Sequence, residues 1–376
     1  MEPGEGTRFR VDYIDWNLTC QWRSVSICIF ESCELRDKLT NLRCNDWTVE
    51  EFVPPAAIAD AFDPRAIETA GEIIKTGGLV AFPTETVYGL GADAENPQAV
   101  ARIFEAKARP RIDPIIVHVS NPASAGRYGI FPHSAQRLIK HFWPGPLTLV
   151  VAKTEAVPEI VTAGLDTVAI RIPSHPAALA LLRASGCAIA APSANAFGYA
   201  SSTTAQHVAE HLGEKIEMIL DGGPCAIGVE STILSLTGPV PTILRAGGVP
   251  VEDLAAMLGD IEVALGKAER PAAPGQMKRH YSTRTLLEIC ERASEISRSD
   301  ERIGLLTLNP PDNPAQYAAV EVLSPSGNLR EAAANFFGAL RRLDALSLDR
   351  IIARPIPEVG LGFALMDRLR RAAARE

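Results

Sequence analysis

Residues 75–91 read Lys-Thr-Gly-Gly-Leu-Val-Ala-Phe-Pro-Thr-Glu-Thr-Val-Tyr-Gly-Leu-Gly. A lysine and two glycines close a helix, Leu79 to Phe82 form a short apolar strand, and the strand empties into a polar loop beginning at Pro83. A buried strand that ends in a polar loop is where α/β sheets place their ligands. The helix before it starts at Asp63-Pro64, an N-cap followed by proline at the first helical position, and Ile67, Ala70, Ile73 and Ile74 recur at helical spacing. Outward from there the same alternation continues. Asn96-Pro97 opens a helix to about Lys107, and Ile115 to Val119 reads as a strand. Ser134 to Phe142 is helical, and Leu147 to Ala152 and Val168 to Ile172 are strands. Pro176 to Ser185 is a helix, Ala188 to Ala191 a strand, Thr204 to Leu212 a helix and Met218 to Leu220 a strand. Strands at Thr232 to Leu236 and Thr242 to Leu244 precede a helix at Val251 to Leu258. The spacing predicts an α/β fold.

Gly, Pro, Ala and basic residues interrupt this rhythm over residues 266–285, which read as a linker. Beyond it, strands at Arg302 to Leu308 and Arg350 to Ala353 and helices at Asn328 to Leu346 and Phe363 to Ala374 predict a second, smaller α/β domain. The expected organisation is an extension over residues 1–57, a first domain over 58–265, the linker, and a second domain over 286–376. A chain of 376 residues suits two domains, at roughly 100–200 residues each.

The extension differs from the rest. Four of the seven cysteines (Cys20, Cys28, Cys33, Cys44) and three of the four tryptophans fall before residue 48, and the first alanine is Ala56. The early cysteines show no Cys-x-x-Cys spacing, and no histidine precedes His118, which speaks against zinc. The segment reads as a poorly ordered extension, a stretch upstream of the true start, or a small accessory piece. The whole chain carries a net charge of -8, with 47% hydrophobic and 22% charged residues, which disfavours a basic nucleic-acid coat protein. No stretch reaches the roughly 18 apolar residues of a membrane span. No basic start precedes an apolar run either, so a cytoplasmic protein is expected.

Familiar chemistries are missing. There is no Gly-x-x-x-x-Gly-Lys-Ser/Thr loop, no Gly-x-Gly-x-x-Gly after a strand, no Gly-x-Ser-x-Gly elbow and no His-Glu-x-x-His. What remains is a set of strand-end loops rich in hydroxyls and cations. Thr84-Glu85-Thr86 is the first. Lys107-Ala108-Arg109-Pro110-Arg111-Ile112-Asp113 is the second, readable as a solvated basic helix end or as a polyphosphate cradle. Arg171 to Pro176, Ala191 to Asn195, Asp221 to Gly223 with Gly228 to Ile233, and Leu244 to Gly248 complete it. Singly, each loop is ordinary turn chemistry, and His118 in its apolar strand reads as a core histidine. Together they make one site for an anionic nucleotide plus a small carboxylate. It has no obvious covalent nucleophile, since Cys187 and Cys225 have no evident histidine partner.

These segments, in this order, resemble the threonylcarbamoyl-AMP synthase family, the YrdC-like proteins. The resemblance rests on residues 75–91, Lys107-x-Arg109-Pro110, Trp143-Pro-Gly-Pro-Leu-Thr148, Arg171-x-Pro173-x-His175-Pro176, Ala191-Pro-Ser-Ala-Asn195 and Gly228-x-Glu230-Ser-Thr-Ile233. The stretch Pro274 to Ser282 and the end, Gly360 to Ala373, look like the linker and C-terminal domain of the family's two-domain form. The resemblance implies a twisted, open, mixed sheet covered by helices, with a smaller α/β domain after it. It also implies an enzyme that joins L-threonine, bicarbonate (or CO2) and ATP, with Mg2+, into threonylcarbamoyl-adenylate and releases pyrophosphate. A separate tRNA threonylcarbamoyl transferase complex then uses the product, so tRNA need not be bound strongly by this chain.

Carried onto this sequence, threonine recognition falls to Thr84, His118, Arg171, Ala191 and Ser231, with Arg171 on the carboxylate. ATP recognition falls to Lys107, Arg109, Asp113, Thr167, Ser193, Asn195, Ser201, Arg245 and Tyr281, with Tyr281 folding over the nucleotide as a lid; no direct protein ligand is assigned to a metal. Three departures stand out: Asp113 where the family usually has Asn, Ala246 for the usual Pro, and Ala200-Ser201-Ser202-Thr203 for a Pro-Ser-Pro-Thr type segment. Two other readings compete: a related carbamoyl-adenylate enzyme with another acceptor, and a non-catalytic RNA-binding module. All the family-like sequence begins after the alanine-free stretch. Deleting residues 1–55 is therefore expected to leave turnover intact, and loss of turnover in a truncation that still melts cooperatively contradicts this.

Overall fold

The computed structural model describes residues 56–265, 273, 280–291 and 301–374. The extension read over residues 1–57 thus lies outside the described residues except at its last two positions. The linker is described only at Ala273 and from His280 on.

The first sheet takes strands β1 (Ala57–Asp60), β2 (Val80–Phe82), β3 (Gly89–Asp93), β4 (Ile116–His118), β5 (Gly129–Ile130), β6 (Leu147–Lys153), β7 (Thr167–Arg171), β8 (Ile189–Ala190), β9 (Met218–Asp221), β10 (Thr232–Ser235), β11 (Thr242–Arg245) and β12 (Glu262–Val263). Helices α1 (Pro64–Lys75), α2 (Pro97–Lys107), α3 (Pro122–Ala125), α4 (Ala135–Phe142), α5 (Glu159–Thr162), α6 (Pro176–Ser185), α7 (Ala205–Leu212) and α8 (Val251–Leu258) accompany them. The strand order is β1-β9-β2-β3-β8-β4-β7-β6-β10-β11-β12, with β5 on β6. The sheet is mixed. β2, β3, β8 and β4 run antiparallel in sequence, whereas β4 is parallel to β7 and β6 to β10.

Local chemistry explains the elements. The Asp63 carboxylate accepts from the Arg65 amide to start α1, and the Asn96 side chain accepts from the Gln98 and Ala99 amides to start α2. Alternation along β2 sorts the core onto two faces. Leu79 and Ala81 join one cluster, with Leu90, Val117 and Ile170. Val80 and Phe82 join the other, beneath α1 and α6. Strand β3 is Gly-Leu-Gly-Ala-Asp, a sequence of low strand propensity that reads as loop. It is a strand because its glycines admit the Phe82 ring: a Cβ on Gly91 would lie 2.9 Å from Phe82 Cε1 and 2.7 Å from Ile189 Cγ2.

The second sheet has strands β13 (Leu286–Ile289), β14 (Ile303–Thr307), β15 (Ala319–Val322) and β16 (Arg350–Ala353) in the order β13-β16-β14-β15, all parallel. Helices α9 (Leu329–Asp344) and α10 (Leu361–Ala373) pack on it. The described residues of both domains belong to one compact unit. The second core reaches into the first domain, where Val87, Ala200 and Val229 pack with Phe336, Phe337 and Leu365. Gly228 makes that approach possible. It sits at φ 78°, and a Cβ there would run into the backbone of Ala333 and Ala334 on α9. No helix among the described residues is long and apolar enough to cross a membrane.

Both the positive φ and the missing space penalise a side chain at position 228. Gly228→Ala is expected to destabilise the chain by about 2–4 kcal/mol, read from urea melts; an unchanged midpoint contradicts the close contact.

Candidate active site

The strand-end loops converge on one cleft, on the sheet face that carries His118 of β4 and Arg171 of β7. All five threonine-side residues, Thr84, His118, Arg171, Ala191 and Ser231, line it, as do Arg109, Ser193 and Arg245 from the nucleotide side.

Arg171 organises the threonine side. Its Nε donates to the Gly145 carbonyl at 3.2 Å and its Nη1 to Thr86 Oγ1 at 2.9 Å. Nη2 lies 2.7 Å from Glu85 Oε1, but neither atom is aligned for a hydrogen bond. The other Glu85 oxygen accepts from the Ser174 amide at 3.0 Å. Thr84 Oγ1 donates to the Val87 carbonyl at 2.6 Å and accepts from the Thr86 amide at 3.1 Å, which fixes the loop after β2. His118 is buried edge-on to Phe82, its ring centroid 6.1 Å away, and its Nδ1 has no hydrogen-bond partner. Burial and the nearby Arg171 push its pKa down to about 3, so the imidazole is neutral.

The nucleotide side is a bank of buried cations. Ala108, the C-cap of α2, takes the left-handed conformation at φ 51°, which costs about 1–2 kcal/mol in a residue with a Cβ. The turn it makes lies between Lys107 and Arg109, both buried. Lys107 Nζ donates to the Ser193 carbonyl at 2.6 Å and to the Asn195 carbonyl. Burial, then the neighbouring Arg109, drives its ammonium well below the usual lysine range. Arg109 Nη2 donates to the Pro114 carbonyl at 2.8 Å and lies 2.9 Å from Asp113 Oδ2. Burial raises the pKa of Asp113, against the opposing pull of Arg109, Arg245 and Lys107. Arg245 Nε and Nη2 donate to the Ser231 carbonyl at 3.1 and 3.0 Å. The Ser231 hydroxyl stands 2.7 Å from Thr148 Oγ1.

The remaining expected residues fall into two groups. Lys107, Asp113, Asn195 and Ser201 stand behind the wall. Lys107 holds the Ser193 and Asn195 carbonyls, Asp113 pairs with Arg109, and Ser201 donates to Glu230 Oε1 at 2.7 Å. Thr167 and Tyr281 are not in the cleft. Thr167 begins β7, four residues before Arg171, which is about 13 Å along a strand. The threonine hydroxyl beside Ser231 is that of Thr148. Tyr281, expected as a lid over the nucleotide, is instead buried in the interdomain core, at φ 65°. Its ring lies 5.4 Å from Phe337, and the Arg368 guanidinium stands over it at 5.5 Å. Its neighbour His280 lines the cleft.

The sequence reading passed over Glu85, Thr86, Thr148, Glu230 and His280. The first four lie inside the motifs already quoted, and His280 adjoins Tyr281, so position was legible but partnership was not. Burial lifts the Cys225 thiol to about 12, which excludes it as a thiolate nucleophile at neutral pH. The arrangement can bind a carboxylate, hold a polyphosphate and position both. Among the described residues no three His, Cys, Asp or Glu cluster to hold a metal ion. Mg2+ carried by a nucleotide needs one or two carboxylates besides phosphate and water; Asp113 does not offer one, being fully buried, ion-paired with Arg109 and absent from the cleft lining.

Comparison with known proteins agrees with this geometry. Residues 72–247 match the Sua5/YciO/YrdC family model, described as Telomere recombination. Residues 249–374 match the model described as Threonylcarbamoyl-AMP synthase, C-terminal domain. The chain is 44% identical to threonylcarbamoyl-AMP synthase of Bacillus subtilis over 83% of its own length and 93% of that protein. It is 43% identical to the Pyrococcus abyssi synthase, over 84% and 96%. The structure of P. abyssi Sua5 complexed with L-threonine superposes with a TM-score of 0.79 at 40% identity, covering 85% of this chain and 97% of that one. The chain belongs to the threonylcarbamoyl-AMP synthase family.

The buried histidines set a pH dependence. His118 and His280 have folded pKa values of about 3, below the usual 6.5 of an unfolded histidine. The unfolded state therefore binds more protons below pH 6.5, and stability falls as pH drops from 6.5 toward 3. Each is expected to cost about 2 kcal/mol at pH 5 relative to pH 7.5. Glu230, whose pKa lies at about 2, loses its contribution only below pH 4.5, outside the interval between pH 7.5 and 5. Guanidine melts at pH 7.5 and 5 check this; a His118→Asn variant with an undiminished pH slope contradicts it.

Proposed function

We propose that this chain catalyses ATP-dependent synthesis of L-threonylcarbamoyl-adenylate from L-threonine, bicarbonate or CO2, and ATP, as a nucleotidyltransferase. The observation that carries the reading is Arg171. Arg171 lines a cleft of hydroxyls, ion-paired at its edge with Glu85 at 2.7 Å, while Arg109 and Arg245 line the same cleft. A carboxylate suits the first and a triphosphate the second.

The threonine amine attacks carbon dioxide, forming the C–N bond and losing a proton, to give a carbamate; starting from bicarbonate, that proton leaves with the displaced hydroxide as water. A carbamate oxygen then attacks the α-phosphorus in line. The new P–O bond forms as the bond to the β-phosphate oxygen breaks, and pyrophosphate leaves. Nothing in this sequence needs a covalent enzyme intermediate. The protein's work is to orient two bound partners and offset developing charge. Arg171 holds the threonine carboxylate, with Thr84, Thr86 and Ser231 around it. Arg109 and Arg245 face the phosphates, and Lys107, behind the wall, holds the Ser193 and Asn195 carbonyls in place. His118, being neutral, offers a hydrogen bond without adding charge beside Arg171. Mg2+ would arrive with ATP, held by phosphate oxygens and water, and would neutralise part of the triphosphate. The product is a mixed anhydride for a tRNA threonylcarbamoyl transferase complex, to serve the adenosine next to the anticodon; the acidic chain itself need not bind tRNA strongly.

Purified protein with ATP, bicarbonate and Mg2+ should release pyrophosphate only when L-threonine is added. Release without threonine, or none with it, overturns the reading. Arg171→Ala should raise the threonine KM about 100-fold, as expected for a lost charge-assisted pair, and the ATP KM less than about threefold. Equal rises would move Arg171 off the carboxylate.

A further inference from the structure

Arg368 heads the fully buried side chains by size among the described residues, and it belongs to α10 of the second domain. Domain docking alone does not call for it. A guanidinium carries five donors that must be satisfied, and an apolar side chain of similar size would dock without the desolvation cost. Its Nε and Nη2 donate to Glu230 Oε2 at 3.1 and 2.9 Å. Its Nη1 donates to the Ala246 carbonyl at 2.6 Å and to Asp367 Oδ2 at 3.1 Å. Asp367 is held in turn by Arg371 Nε at 3.0 Å.

Both contacts outside its own domain touch the cleft. Glu230 lines it and precedes Ser231; Ala246 follows Arg245, which lines it too. Glu230 and Arg245 also feel each other's charge, so Glu230 has two guanidiniums to choose between. It is committed to Arg368. Arg245 is thereby directed onto the Ser231 carbonyl and hydroxyl.

We propose that Arg368 is a positioning residue for adenylation: by engaging Glu230 and the Ala246 carbonyl, it keeps Arg245 turned toward the phosphates of ATP. The inference rests on the reading of the cleft as an ATP site. The second domain is then part of the active site, although none of its described residues lines the cleft. Without Arg368, the buried Glu230 would keep only the Ser201 hydroxyl and would draw Arg245 to itself. Burial raises the Glu230 carboxyl, but Arg368 and Arg245 outweigh it and hold it ionised at about 2.

The test uses the full chain with Arg368→Met, Arg368→Lys, Glu230→Gln and the double variant Glu230→Gln/Arg368→Met, with melting curves recorded for each. Arg368→Met should weaken ATP, by KM and by calorimetric binding, at least about tenfold, while the threonine KM moves less than about threefold. The double variant lacks the stranded carboxylate, so its ATP affinity should return to within about threefold of Glu230→Gln alone. Arg368→Lys keeps the charge but loses the fork, and should fall between wild type and Arg368→Met. If Arg368→Met does not fold, Arg368→Lys and the double variant carry the same comparison. Unchanged ATP affinity in folded Arg368→Met, equal losses for ATP and threonine, or no recovery in the double variant overturns the proposal. A wild type that binds ATP yet releases no threonine-dependent pyrophosphate counts against the function, while the calorimetric series still tests Arg368.

Discussion

The guanidinium of Arg171 is the constraint on which the cleft depends. From the end of β7 it reaches Gly145 in the Trp-Pro-Gly-Pro segment, Thr86 in the loop after β2, and Glu85, whose second oxygen takes the Ser174 amide. One side chain thus ties together three stretches of sequence that are far apart along the chain. The mixed sheet makes this possible, because β4 and β7 run parallel side by side and present His118 opposite Arg171 at their ends.

Such an arrangement is expensive to hold. Arg171, Arg109, Lys107, Arg245 and Arg368 are all buried, set against Glu85, Asp113, Glu230 and Asp367. Buried pairs seldom add net stability over apolar packing, since desolvation offsets much of the Coulomb gain. Their persistence is best understood through what they bind. The apolar clusters on both faces of the sheet, together with the core beneath α9 and α10, supply the stability that lets the cations stay.

Much of this was legible in the sequence. Asp63-Pro64 and Asn96-Pro97 mark helix starts because side-chain caps are local, and the bounds of α6 and α8 follow from apolar periodicity. Strand β3 was not legible, because its glycines answer to the Phe82 ring, a contact no local pattern reports. Strands β13 and β15 also went unread: the first adjoins the linker, and the second is only half-buried and shows no apolar alternation. In the cleft, motif residues identify which side chains are present, not which partner each takes. Tyr281 shows the difference. The motif singles out its neighbourhood, yet packing against Phe337 and Arg368 turns it into the interdomain core and leaves His280 at the cleft.

The proposed chemistry turns on Arg171 receiving the substrate carboxylate. A crystal structure of this protein with L-threonine bound tests it most directly. The threonine carboxylate should lie within hydrogen-bonding distance of the Arg171 guanidinium, with Ser231 or Thr84 nearby. Threonine bound elsewhere, or in the cleft with its carboxylate on Arg245 or Lys107 and Arg171 untouched, would contradict it.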